Sequence, residues 1–239
     1  TKNSPGYDDM YLTPHPFQRS GPGNALDGKP KFDLDSFNQA YFDRLRSRII
    51  EAGNHGIYVS VMLFQGFSIE LKGKTVGNPW IGHPFNVNNN INGIDGDTDG
   101  DGEGKEVHTG SIPEIVTIQQ AYIRKVVDTL NDLDNVLYEI SNESHGDSQD
   151  WQYSMINYIK SYESSKPKQH PVGMTVEYPD PSNTELFNSP ADWISPSVVA
   201  IDGSFYTVNP RASSGDKVMI LDTDHLGLIA TVTWAFKAF

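Results

Sequence analysis

Cysteine is absent from this 239-residue chain, which excludes disulfides, Cys-ligated zinc and thiol nucleophiles but does not fix a compartment. Long hydrophobic runs are absent as well, since no stretch approaches the about 20 apolar residues of a membrane-spanning helix. Basic residues are few: 18 Lys and Arg stand against 31 Asp and Glu, for a formal charge of −13. Nucleic acids and anionic membranes are bound through basic patches, so neither is expected as a partner. A neutral substrate such as a sugar suits this balance. The seven histidines show no metal-ligand spacing, which argues against transition-metal catalysis.

What is present reads as one α/β domain over residues 1–239. Residues 1–34 are dense in Pro and Gly and read as loop. From Asp35, Phe37, Tyr41, Leu45, Ile49 and Ala52 recur at helical spacing, with Gly53 as the stop. Ile57–Phe64 is apolar on both faces, as a strand covered on each side would be. A polar insertion, 66–112, follows and ends in Ser111-Ile112-Pro113-Glu114, which fits a helix-opening capping box. The next helix carries Ile115, Ile118, Tyr122, Val126, Leu130 and Leu133 on one stripe. Further strands are expected at Asn135–Ile140, Pro171–Val176, Ala191–Ser195 and Lys217–Asp222, with a helix bearing Trp151, Met155, Tyr158 and Tyr162 between the first two. Strands alternating with helices give a parallel α/β architecture.

Two motifs carry chemistry. The strand ending at Ile140 is followed by Ser141-Asn142-Glu143. A carboxyl partly buried at a strand tip has its charged form disfavoured and can serve as an acid near neutrality. The competing reading is a solvated or helix-capping Glu. The second motif, Asp95-Gly96-Asp97-Thr98-Asp99-Gly100-Asp101-Gly102-Glu103-Gly104-Lys105-Glu106, matches the calcium-loop template. Asp95, Asp97, Asp99, Asp101, Glu103 and Glu106 are the candidate metal ligands, although Gly102 stands where an apolar anchor is usual and helical flanks are missing. The alternative is a flexible acidic loop. Trp80 offers a ring for stacking on a sugar or for anchoring its loop. His83, His145 and His225 lie in expected loops near strand tips, where they could bind sugar hydroxyls, the alternative being an ordinary surface or packing role.

The run Lys31–Phe64, followed by Asn135–His145, Ala191–Pro196 and Val218–Leu226, resembles in that order a cellulase-like glycoside hydrolase of clan A, the (β/α)8 superfamily that includes glycoside hydrolase family 5. The Asn-Glu strand tip is that clan's hallmark. The resemblance implies a (β/α)8 TIM barrel in which Glu143 is the acid/base and Asn142 its substrate-binding neighbour. It implies a retaining hydrolase of β-linked glycans with no catalytic cofactor, structural calcium aside, and a secreted or periplasmic setting, although no signal peptide is visible after Thr1. By that strand order, the first two strands and the last are missing, and self-association would follow from the uncovered edges. The partner carboxylate departs from the clan's Glu. Asp222 aligns best, Asp224 is next and Glu177 third, with Asp224 and His225 also placed to touch substrate. Rival readings are a non-catalytic glycan-binding relative and a calcium-stabilised structural domain.

Overall fold

The computed structural model describes residues 13–70, 77–178, 183–196 and 216–220. Five strands, β3 (Val59–Gln65), β4 (Val136–Asn142), β5 (Val172–Thr175), β6 (Trp193–Ser195) and β7 (Val218–Met219), form one parallel sheet in chain order. They alternate with α2 (Pro113–Leu130), α3 (Gln149–Glu163) and α4 (Asn183–Asn188), and α1 (Gln39–Asn54) precedes β3. A doubly wound sheet reverses its order once and so carries helices on both faces. This one does not reverse, and its helices gather on one face. There, Val61, Leu63, Tyr138, Ile140, Val172, Met174 and Ile194 share a single core with Phe42, Ile123, Val126, Met155, Ile156 and Leu186 of the four helices. The other face holds Ser60, Glu139, Gly173 and Trp193, with Met62 and Val218 exposed. Gly173 leaves room for the indole of Trp193, which a Cβ would meet at 1.8 Å.

Helix ends follow local chemistry that departs from the sequence expectation: α1 opens at Gln39 rather than near Asp35, because β2 runs through Phe37, and α2 closes at Leu130, short of Leu133. Asn38 caps α1 by accepting from the Ala40 N–H. The helix then continues through Gly53 to Asn54, because Asn135 packs over Gly53, and Gly56 takes the left-handed turn at φ 72°. No capping box forms before α2: Ser111 pairs with Thr109 instead, and Pro113 opens the helix at a position where its missing N–H costs nothing.

The region expected to be loop contains an antiparallel hairpin, β1 (Phe17–Asn24) with β2 (Pro30–Phe37). Its Pro and Gly residues concealed two inward positions on β2, Phe32 and Leu34, at strand spacing. These join Phe17, Ile69, Trp80, Phe85, Val107, Ile115 and Ile118 in a second core beneath the insertion. The stretch rich in Asn is ordered by its own amides. Asn90 Nδ2 donates to the Pro84, Asn86 and Ile94 carbonyls while its Oδ1 accepts from Ile94 N. Asn89 bridges Leu26 N to the Ile81 and His83 carbonyls, and Asn92 Oδ1 takes the Leu34 N–H. Backbone bonds from Phe32 N to Asn89 O and from Ile91 N to Phe32 O complete the seam between hairpin and insertion.

Candidate functional site

The carboxyl ends of β3, β4 and β5 meet at Glu143. Among the described residues, Glu143 is the only non-glycine with positive φ, at 46°. A left-handed backbone strains an L side chain by roughly 1–2 kcal/mol, and glycine would adopt it freely. The neighbouring tip comes unusually close. A Cβ on Gly66, just past β3, would meet Ser144 Cα at 2.4 Å and Glu143 O at 2.5 Å, so this position requires the bare backbone.

Side chains fasten the turn on three sides. Asn142 Nδ2 donates to Gln65 Oε1 at 2.9 Å. Ser144 Oγ bonds Ser141 Oγ at 2.6 Å and His108 Nδ1 at 3.2 Å, and the His108 ring stacks on Trp151 at 4.1 Å. Tyr178 N donates to Ser144 O at 3.0 Å, which sets Glu177 beside Glu143 in the sense that each precedes one partner of that bond. Glu177 is 1% exposed. His108, Ser144, Gln65 and Gly66 were not singled out from the sequence. The strand-tip rule that found Glu143 reaches Gln65 equally well once β3 is extended by one residue.

The other expected site residues divide. Asp222, Asp224 and His225 lie outside the described residues. Trp80 is 2% exposed, enclosed by Gly104 and Gly96, where added Cβ atoms would meet its ring at 2.2 and 2.8 Å. It anchors the insertion, and a ring so enclosed has no open face for a sugar. His145 is buried, and its Nε2 contacts the Lys105 carbonyl at 2.9 Å, tying the tip of β4 to the insertion. His83 stacks on Trp80 at 4.8 Å and lines a cleft near Gln65. Burial, reinforced by nearby His15, lowers its pKa to about 3, so the ring is neutral.

The acidic loop gathers part of its expected ligand set. Oxygens of Asp97, Asp99 and Glu106 lie within 4.8 Å of one another. Asp95, Asp99 and Asp101 each accept the N–H two residues on. Glu106 Oε1 accepts from Thr98 N, Thr98 Oγ1 and Asp99 N. Lys105 pairs with Glu103 and Asp101, at 3.0 and 3.5 Å, and draws both away from the triad. Burial, then repulsion from Glu106 and Asp101, raises the Asp97 pKa against the N–H groups that bind it.

Comparison with known proteins gives one family. A model described as a domain of unknown function (DUF6298) matches residues 9–180. The chain belongs to this family. The matched span contains the hairpin, the insertion and both Glu143 and Glu177, and it ends before β6. No curated protein and no solved structure matches.

Proposed function

We propose that this member of the DUF6298 family is a glycoside hydrolase on a (β/α) barrel scaffold, acting on β-linked glycans with Glu143 as the general acid/base. The observation that carries the reading is the left-handed backbone of Glu143 at the carboxyl end of a parallel strand. Backbone strain persists at functional positions when the side chain is needed there, and in parallel α/β folds the strand tips carry the chemistry. The unreversed order of the five described strands, with the described helices on one face, supports a sheet that curls on itself. Asn142, oriented by Gln65, presents an amide to a substrate hydroxyl.

The partner carboxylate is proposed at Asp222, just beyond β7. Glu177 is the alternative that the described residues favour, being a buried carboxyl on the adjacent tip. A retaining double displacement needs carboxyls about 5–5.5 Å apart, and inversion about 6.5–9.5 Å. Hydrolysis of a panel of β-linked polysaccharides, followed by the product's anomeric configuration, tests the reading. Glu143→Gln should lower turnover by about 100-fold or more on substrates with poor leaving groups, and a variant as active as the parent on such a glycan overturns the assignment.

Calcium is proposed for the acidic loop in a structural role. Support comes from the template spacing and from the convergence of Asp97, Asp99 and Glu106. A divalent cation there would relieve the repulsion that raises the Asp97 pKa. Calcium titration of the apo protein, read by thermal melting, tests it.

A further inference from the structure

The cleft between the hairpin and the insertion has a volume of about 670 Å³, and its walls include His15, Arg19, Asn38, Gln65, Ser68 and His83. A smaller cavity of about 220 Å³ shares several of these and continues to His108. Together they run from the surface to the tip of β3. Pockets for small ligands have volumes of about 300–1,000 Å³.

We propose that this cleft binds one ring of an uncharged, acceptor-rich polyhydroxy ligand, as a subsite adjoining Glu143. The glycan identity of the ligand rests on the function proposed above, whereas the binding site itself rests on the cleft. Several of its wall side chains present donors. His83 Nδ1 accepts from Phe85 N at 3.2 Å, and His15 Nδ1 more distantly from Phe17 N at 3.5 Å. Each ring therefore carries its proton on Nε2. Gln65 Oε1 already accepts from Asn142 Nδ2 and Phe67 N, so its amide N–H groups are the part left to offer. Asn38 is committed in the same sense, its Oδ1 taking the Ala40 N–H.

The charges inside cancel. Arg19 forks onto Asp27 at 2.6 and 3.1 Å, donates to the Pro30 carbonyl and lies 3.9 Å over the Phe32 ring. Asp27 is the one carboxylate among the described lining residues, and it is held by that fork. Lys29 is exposed at the rim. Burial, and for His15 the charge of Arg19, holds both imidazoles near a pKa of about 3, so they stay neutral donors. A cationic ligand would meet these donors and a carboxylate already committed to Arg19. An anion would lose hydration without an uncommitted interior counter-charge. A hydroxyl- and ether-rich ring suits both constraints. Gln65 pairs in register with Asn142 and bonds to it, which sets the cleft one residue from Glu143.

The test is calorimetric binding of β-linked neutral oligosaccharides, and of an oligouronate, to the full chain and to its Glu143→Gln variant. Neutral oligosaccharides should bind both proteins alike, and the uronate should bind more weakly. Affinity should be flat from about pH 6 to about pH 8, where an ordinary histidine would titrate. His83→Ala should weaken binding by up to about tenfold for each neutral hydrogen bond lost. Because His83 also stacks on Trp80 in the insertion, a second variant is needed: Ser68→Trp, which fills the mouth, should abolish binding while the melting temperature is kept. Binding unaffected by both variants, or uronate preferred, overturns the proposal. Binding without hydrolysis by the parent leaves the subsite standing and removes the hydrolase reading. Hydrolysis with KM unchanged in both variants does the reverse.

Discussion

The layer of sheet and helices and the cap of hairpin and insertion are held together by different means. Under the helices, residues such as Ile123, Val126, Ile140 and Ile156 are wholly buried in one apolar cluster. Such packing is non-directional and tolerates modest exchanges of shape. The cap has a smaller apolar core, and beyond its two-stranded hairpin the insertion is ordered largely by asparagine amides. Hydrogen bonds demand geometry, and a buried group left unpaired costs about 1–3 kcal/mol. The contrast separates a layer that resists change from a cap whose shape is specified atom by atom, and the cap is the part that borders Glu143.

Substitutions can break this comparison. Ile123→Ala in the layer should destabilise by about 2–5 kcal/mol through lost burial and a residual cavity, measured by denaturant unfolding. Asn90→Ala in the cap should cost about 1–3 kcal/mol, because it strands the carbonyls of Pro84, Asn86 and Ile94 and the Ile94 N–H. If hydrophobic burial alone held the cap, Asn90→Leu would be neutral or better. Asn88→Ala, two residues away and exposed, should stay within about 0.5 kcal/mol.

Acidity sharpens the same contrast, because histidines in the two regions titrate in opposite directions. His15 and His83 in the cap are lowered to about 3 by burial. Their neutral forms contribute stability above the unfolded value near 6.5, and this is lost as pH falls. The loss is at most about 1.4 kcal/mol per pH unit for each ring, and less where the cleft admits water. At the opposite end of the sheet, burial alone would lower the His170 pKa, yet the hydrogen bond and charge of Glu163 and the Leu133 carbonyl raise it. Both its nitrogens face acceptors, at 2.8 Å each. Its contribution is complete below about pH 6.5 and is lost as pH rises through the raised value. Hydrogen exchange should therefore show the cap opening first on acidification, and the α3–β5 junction loosening above neutrality.

Calcium should act on the cap alone. Excess calcium should raise the melting temperature by a few degrees, in proportion to the logarithm of its concentration, and Asp97→Asn should remove the response. A melt indifferent to calcium would retire the metal.

Legibility in the sequence followed the same division. Strands β3 to β7 and helices α1 to α3 could be read from apolar periodicity, because burial on one face imposes a period on the chain. The position of Glu143 at a strand tip was readable from the apolar run that precedes it. The hairpin was not, since its Pro and Gly content outweighed the alternation of Phe32 and Leu34. The Asn-rich seam has no apolar period at all, and its order comes from side-chain amides that pair only once the fold exists. His15, Gln65 and His108 were hidden for that reason. Gly66 was hidden because close backbone approach leaves no mark in the sequence beyond the glycine itself.

The central claim is that the chain tolerates a strained backbone at Glu143 because its carboxyl is used. Glu143→Gly separates strain from use in one protein. The account predicts a variant about 1 kcal/mol more stable than the parent by thermal or denaturant unfolding, with hydrolysis of the parent's glycan substrate abolished. A variant that is less stable, or that still hydrolyses that substrate at the parent's rate, would contradict it.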